Sequence, residues 1–228
     1  MLNLTFHGHS CWEVDDGVRR VLIDPFLTGN RLADVGPEAF DRLDAIVITH
    51  GHADHIGDGV QIAKHTGALV ISSYEIANWF EARGCRTHGM NIGGGRDFLF
   101  GHVKFTIAHH GSTGPDGEAL GNPMGVVLKM GGQRVYHAGD TGVFLDMRLI
   151  AELNGPLDVA LLPIGDNFTM GVDDAVKATE LLGAALNIPM HYDTFDPIEV
   201  DATDFVRKVE AAGRRARIVD PGASHRLG

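Results

Sequence analysis

Short apolar runs recur along the chain, separated by polar and glycine-containing segments. Leu2–Phe6, Arg20–Asp24, Ala45–Thr49, Ala68–Ser72, Val103–Ala108, Gly125–Met130, Arg134–Ala138 and Asp158–Pro163 are rich in β-branched and other apolar residues. They are too short for helices, which predicts strands. Helical patterns fall after His55 and over Ser73–Arg83, Phe144–Leu153, Val172–Leu186 and Glu199–Ala212. Ser73 is placed to cap the second of these, and Gly84 sits where it would stop. Asp201 and Thr203 offer alternative starts for the last. Alternating strands and helices predict an α/β fold.

The glycine runs Gly93-Gly94-Gly95 and Gly131-Gly132 read as turns between strands. Gly93–Gly95 lacks the GxxxxGK[ST] frame of a phosphate loop, and no helical pattern follows it. No low-complexity tract or long linker divides the chain, so residues 1–228 are expected to form one domain. A 44% hydrophobic composition is enough for a sizeable core, yet no apolar stretch is long enough to cross a bilayer. The N-terminus lacks the basic-then-apolar pattern of a secretory signal, and two cysteines, Cys11 and Cys85, cannot build a disulfide framework. A cytoplasmic location is therefore expected. The net charge of −11, with no lysine or arginine run to offset it, disfavours nucleic acid as a partner and favours a small-molecule substrate. A homo-oligomer is compatible with the sequence.

The thirteen histidines matter through where they fall. Five times an apolar run ends in a His or Asp. Ala45–Thr49 enters His50-Gly51-His52-Ala53-Asp54-His55, Val103–Ala108 enters His109-His110-Gly111-Ser112, and Arg134–Ala138 enters Gly139-Asp140-Thr141-Gly142. Ile188–Met190 leads to His191, and Arg20–Ile23 to Asp24-Pro25. Strand ends at one edge of a sheet are held rigidly and can converge, as a metal site requires. Imidazole and carboxylate are the usual nitrogen and oxygen ligands of zinc and related divalent ions. Three histidines and an aspartate within six residues form a far denser cluster than a polar loop needs. His50 and His52 can reach one ion from an extended loop, and Asp54 and His55, where a helix begins, can point toward a second.

His50-Gly51-His52-Ala53-Asp54-His55 resembles the HxHxDH signature of the metallo-β-lactamase superfamily. The stretches Thr5–Ser10, Asp24–Asn30 and Pro163–Gly171 narrow the resemblance to the small UPF0173 metal-dependent hydrolases, relatives of the ascorbate-6-phosphate lactonase group. The resemblance covers essentially the whole chain. It implies an αββα sandwich of two mixed sheets flanked by helices, with two divalent metal ions in a groove along one edge. Zinc fits such a site, and manganese or iron would also fit.

Carried over position by position, the resemblance places the first ion on His50, His52 and a histidine of the third cluster. It places the second on Asp54, His55 and His191, with Asp140 bridging the two. His109 and His110 compete for the third-cluster place; the family pattern sets a ligand just before a small residue, which favours His110. Asp24 reads either as a strand-end turn or as hydrogen-bonded support for a ligand histidine. His7 and His9 match the subfamily, but fit hydrogen-bonded strand ends at least as well. His137 is expected to pack within its strand, and His65, His88, His102 and His225 to be structural or surface residues. Asp166 falls where relatives often carry a small residue, which predicts a more polar or acidic pocket.

The expected chemistry is metal-assisted hydrolysis of a small-molecule ester, lactone or phosphoester. Two ions would share a water, lower its pKa and present hydroxide near neutral pH, with Asp54 and Asp140 as the carboxylates that serve catalysis. No GxSxG nucleophile elbow competes with this reading. The alternatives are a phosphodiesterase or nuclease of the same fold, and a non-catalytic metal-binding protein; a degenerate member of the last kind would be expected to have lost ligands.

Overall fold

The computed structural model describes residues 1–228. Its strands in chain order are β1 (Leu2–Phe6), β2 (Trp12–Asp15), β3 (Arg20–Ile23), β4 (Ala45–Val47), β5 (Leu69–Ser73), β6 (Arg86–Met90) and β7 (Gly95–Phe98). They continue with β8 (Gly101–Ile107), β9 (Met124–Met130), β10 (Gln133–His137), β11 (Val159–Pro163), β12 (Leu186–Met190) and β13 (Ser224–Leu227). The helices are α1 (Ala53–Ile56), α2 (Gly59–Thr66), α3 (Tyr74–Glu81), α4 (Met147–Asn154), α5 (Val172–Leu182) and α6 (Ala202–Ala211). No helix is long and apolar enough to cross a membrane.

The strands form a seven-stranded sheet in the order β13-β1-β2-β3-β4-β5-β6 and a six-stranded sheet in the order β12-β11-β10-β9-β8-β7. Both are mixed, as the resemblance implied. β1 to β3 pair antiparallel and β3 to β6 parallel, while β8 to β10 pair antiparallel and β10 to β12 parallel. One apolar layer, including Phe6, Trp12, Val14 and Ile23 from the first sheet and Phe105, Val126, Leu128 and Ile188 from the second, lies between them. Ile62, Ile76 and Phe80 of α2 and α3 cover the outer face of the first sheet at Leu22, Ile46 and Val70. Met147, Ala178 and Phe205 of α4 to α6 cover the second at Tyr136, Ala160 and Leu162. Strands such as β4 and β11, buried at every position, are continuous apolar runs because both their faces are covered.

Several boundaries differ from the pattern-based expectation. α5 stops at Leu182 because Gly183 takes the left-handed conformation at φ 63°, and Leu186 opens β12 instead of ending a helix. Pro189 is tolerated in β12 because that strand is an edge. Ser73 does cap α3, its hydroxyl accepting from the Ile76 amide at 3.2 Å, and Asp201 is the residue that caps α6, accepting from the Thr203 amide. β6 and β7 carry mostly polar or glycine residues with exposed or half-buried side chains, so no apolar alternation announces them.

The pairing pattern sends β1, β3 and β4 in one direction within the first sheet, and β8, β10, β11 and β12 in one direction within the second. The residues that follow their carboxyl ends meet at one edge of the sandwich.

Candidate metal centre

β3 delivers Asp24, and β4 continues through Ile48 and Thr49 to His50. His52 is the extended residue before α1, which puts Asp54 and His55 in the first turn of that short helix. β8 leads to His109 and His110, β10 to Asp140, and β12 to His191. Gly139 is required at its position: its φ is 61°, and a β-carbon would sit 2.5 Å from the Met124 carbonyl oxygen.

All seven residues singled out as candidate ligands, His50, His52, Asp54, His55, His110, Asp140 and His191, converge here. His50 Nε2 is 3.1 Å from His52 Nδ1, and these atoms cluster with a ring nitrogen of His110. Asp140 Oδ2 is 3.4 Å from His110 Nε2, 3.9 Å from His50 Nε2 and 3.0 Å from His191 Nε2. Its Oδ1 is 3.3 Å from His55 Nε2. Asp54, His55 and His191 form a second cluster together with His9. Two donors on one ion, each at a metal–ligand distance of about 2.1 Å, lie roughly 3–4 Å apart, so the spacing suits shared ions. His55 Nε2, Asp140 Oδ1 and His191 Nε2 are buried without a hydrogen-bond partner. Such orphaned atoms are costly unless something else satisfies them. The residues present therefore fit divalent ions.

The outer contacts fix which nitrogen of each ring is free. Asp24 is fully buried and has a left-handed φ of 47°. Its Oδ2 accepts from His55 Nδ1 at 2.8 Å and from the Thr49 hydroxyl at 2.6 Å, while Oδ1 accepts from the Thr49 amide. Because the Thr49 hydroxyl donates to Asp24, it accepts from His50 Nδ1 at 3.0 Å. One carboxylate thus leaves Nε2 free on both His55 and His50, a support role rather than only a strand-end turn. His137 packs within its strand as expected: Nε2 donates to the Ser10 carbonyl and Nδ1 accepts from the Gly139 amide.

Electrostatics agree with this division. Burial, with His55 beside it, holds His50 well below the usual imidazole range, and burial lowers His52 and His110 as well. Burial thus favours the neutral form of these three rings, the form in which imidazole ligates metal. Burial opposes charge on His55, but Asp140 and Asp24 outweigh it and raise its pKa. Burial likewise opposes charge on Asp140, and His191 and His55 overcome it, holding the carboxyl well below its usual range.

Of the competing pair, His110 faces Asp140, whereas His109 is exposed and stacks on Phe144 with ring centroids 4.7 Å apart. Strand-like alternation sends the two neighbours opposite ways. His7 pairs with Asp34 at 2.8 Å, away from the cluster. The expectation for Asp166 is corrected. Asp166 and Asn167 both adopt left-handed backbone, at φ 60° and 49°, and the Asp166 carboxylate turns back to accept from the Asn167 amide. That tight turn points Asp166 away and brings Phe168 to the pocket instead. His9 is the residue whose place the sequence left open. It is fully buried beside Asp54 and His191, and its sequence signal was its place in the subfamily stretch Thr5–Ser10.

His52, Asp54, His110, Asp140, His191, Phe168 and Phe195 line a cavity of about 240 Å³. None of these is Lys or Arg, and Phe168 is 57% exposed at the mouth.

Comparison with known proteins agrees with the fold. A family model described as the beta-lactamase superfamily domain matches residues 19–192. A UPF0173 metal-dependent hydrolase of Heliobacterium modesticaldum is 48% identical over 229 aligned positions, covering 97% of this chain and 96% of the relative. One from Thermus thermophilus is 46% identical over the full length of both chains. Among solved structures, Igni18, a metallo hydrolase of the archaeon Ignicoccus hospitalis, superposes with a TM-score of 0.90 at 38% identity, covering 100% of this chain and 99% of its own. The histidine- and aspartate-lined edge of this sandwich, the matching family model and the full-length relatives together make the chain a member of the UPF0173 metal-dependent hydrolases of the metallo-β-lactamase superfamily.

Proposed function

We propose that the chain, acting as one domain over residues 1–228, uses two divalent ions to hydrolyse a small-molecule ester, lactone or phosphoester. The first ion is assigned to His50, His52 and His110, the second to Asp54, His55 and His191, and Asp140 serves both. The observation that carries this reading is the Asp140 carboxylate. Its two oxygens approach His110 and His50 of one set and His191 and His55 of the other. Zinc suits the mixed imidazole and carboxylate donors, as do manganese and iron.

When bound, the ions supply an acidified water and an electrophilic pole for the substrate's oxygen. The chain's own residues orient and enclose the reaction. Asp54 faces the cavity with 28% of its side chain exposed. Burial pushes its pKa up, but the His9 hydrogen bond and His55 hold it well below the usual carboxylate range. Such a carboxylate is too acidic to keep a proton near neutral pH, so its role is to ligate and orient. Phe168 and Phe195 give the entrance an apolar wall on which the non-reacting part of a substrate packs.

A cavity of about 240 Å³ sits just below the usual size of small-molecule sites. With no cationic side chain on its wall and a net charge of −11, the protein suits uncharged esters and lactones better than nucleic acid. A panel of lactones, thioesters and phosphodiesters on metal-reconstituted protein tests this. Neutral acyl substrates are expected to turn over faster than anionic diesters, and the opposite order would replace this reading with the phosphodiesterase one. Phe168→Ala is expected to raise KM about fivefold with kcat little changed, matching ~1 kcal/mol of lost apolar contact. Unchanged KM across the panel would remove Phe168 from substrate binding.

A further inference from the structure

The Asp54 carboxylate has one hydrogen-bond partner in the protein, His9 Nε2 at 3.2 Å from Oδ2. His9 is fully buried, so it reaches neither solvent nor the cavity wall. Its other nitrogen, Nδ1, is 2.9 Å from the Thr194 hydroxyl. The ring lies against His191 with centroids 4.1 Å apart, and edge-on to Phe26 and Phe195. Its backbone is held as tightly: the His9 carbonyl accepts from the His191 amide at 2.7 Å, and φ is 58°. A histidine keeps a left-handed backbone only where its surroundings over-determine it, and such positions cluster at functional sites.

Thr194 is itself anchored. Arg31 donates to the Asp193 carbonyl and pairs with Asp196 at 3.0 Å and Glu199 at 2.9 Å, clamping the loop on both sides of Thr194 and Phe195. The alternative acceptor for the Thr194 hydroxyl, the Tyr192 carbonyl, is farther away at 3.3 Å. A carboxylate only accepts, so the His9 proton that faces Asp54 sits on Nε2, and Nδ1 is then left to accept from the Thr194 hydroxyl.

We propose that His9 is a positioning residue for the second ion: Nε2–H donates to Asp54 Oδ2, fixes the carboxylate's rotation and leaves its other oxygen uncommitted for the ion. This rests on the two-ion reading above. His9 lies close enough to Asp54, His55 and His191 to be weighed as a ligand itself. Its Nε2 faces Asp54 and, unlike Asp54 and His191, its ring does not reach the cavity wall, which assigns it the supporting role. Thr194 and Phe195 are neighbours in one loop, so a single segment ties the cavity wall to the ion-facing carboxylate.

The test exploits the two ring nitrogens. In His9→Gln the side-chain amide can reach the Nε2 position and keep a donor for Asp54. In His9→Asn it reaches only the Nδ1 position and loses that donor, although Asn accepts the left-handed backbone readily. Cobalt(II) is titrated into metal-free wild type and both variants, following the visible absorption of each bound ion. Thermal unfolding of the metal-free proteins reports on packing alone. Expected are two cobalt ions in wild type, an unchanged first ion in His9→Asn with the second bound about 10–100-fold more weakly, and near-wild-type binding in His9→Gln. Wild-type affinity for the second ion in His9→Asn would overturn the proposal. So would equal losses in the two variants that track their metal-free melting temperatures. If His9→Asn fails to fold, Thr194→Val removes only the hydroxyl and leaves the ring. A weaker second ion there supports the proposal, and unchanged binding overturns it. Fewer than two ions in wild type would instead sink the two-ion reading itself.

Discussion

Asp140→Ala is expected to lower kcat/KM on the order of 10³-fold or more, about 4 kcal/mol in the barrier, and to leave the folded chain with at most one tightly held ion. The side chain is almost fully buried, with Oδ2 facing His110, His50 and His191 and Oδ1 facing His55. Removing it takes the one anion that touches both histidine sets and leaves two cations facing each other with less charge between them. Asp140→Asn keeps the shape but not the charge, and is expected to behave like alanine in ion content while folding better. His137→Ala is the control. It deletes the bonds to the Ser10 carbonyl and the Gly139 amide and so destabilises, but its folded fraction should keep its metal. Equal ion content and equal activity per folded molecule in Asp140→Ala and wild type would reduce Asp140 to a turn residue.

Chelation should produce the largest change in stability. His55 Nε2, Asp140 Oδ1 and both ring nitrogens of His191 are buried without a hydrogen-bond partner in the protein, so stripping bound ions would leave them unsatisfied. Each unsatisfied polar group costs on the order of 1–3 kcal/mol. Ions that bind the folded state alone add RT ln(1 + [L]/Kd), about 2.7 kcal/mol per site at a hundredfold excess over Kd. Two sites give ~5 kcal/mol, a fall in Tm of roughly 10–20 °C for a chain of this size when a chelator strips them. Calorimetry with and without chelator measures it. A Tm that does not move would mean that the cluster is satisfied without metal.

How much of this was legible in the sequence depended on how local each signal was. His50, His52, Asp54 and His55 lie in one run, so a strand end followed by the first turn of α1 delivers four of the side chains together. Asp140 and His191 were legible because each follows a buried strand and because of their order in the family pattern. His9 was left open because what defines it is distant: Asp54 lies 45 positions away and Thr194 lies 185 away, and no local pattern encodes either contact. Asp166 was misread because two successive left-handed residues decide which way that loop faces, and they bring forward Phe168. The alternation of strands and helices was legible in the apolar runs, whereas the two-sheet layering came from the family resemblance. The edge strands β6 and β7 escaped because solvent-facing residues carry no such pattern.

The central claim is that one carboxylate and six further side chains at this edge hold two ions. Elemental analysis of the folded wild-type chain after reconstitution with zinc, manganese or iron tests it most directly. About two ions per chain are expected for at least one of these metals, as a two-metal hydrolytic site requires. A chain that folds but never retains more than one would contradict it.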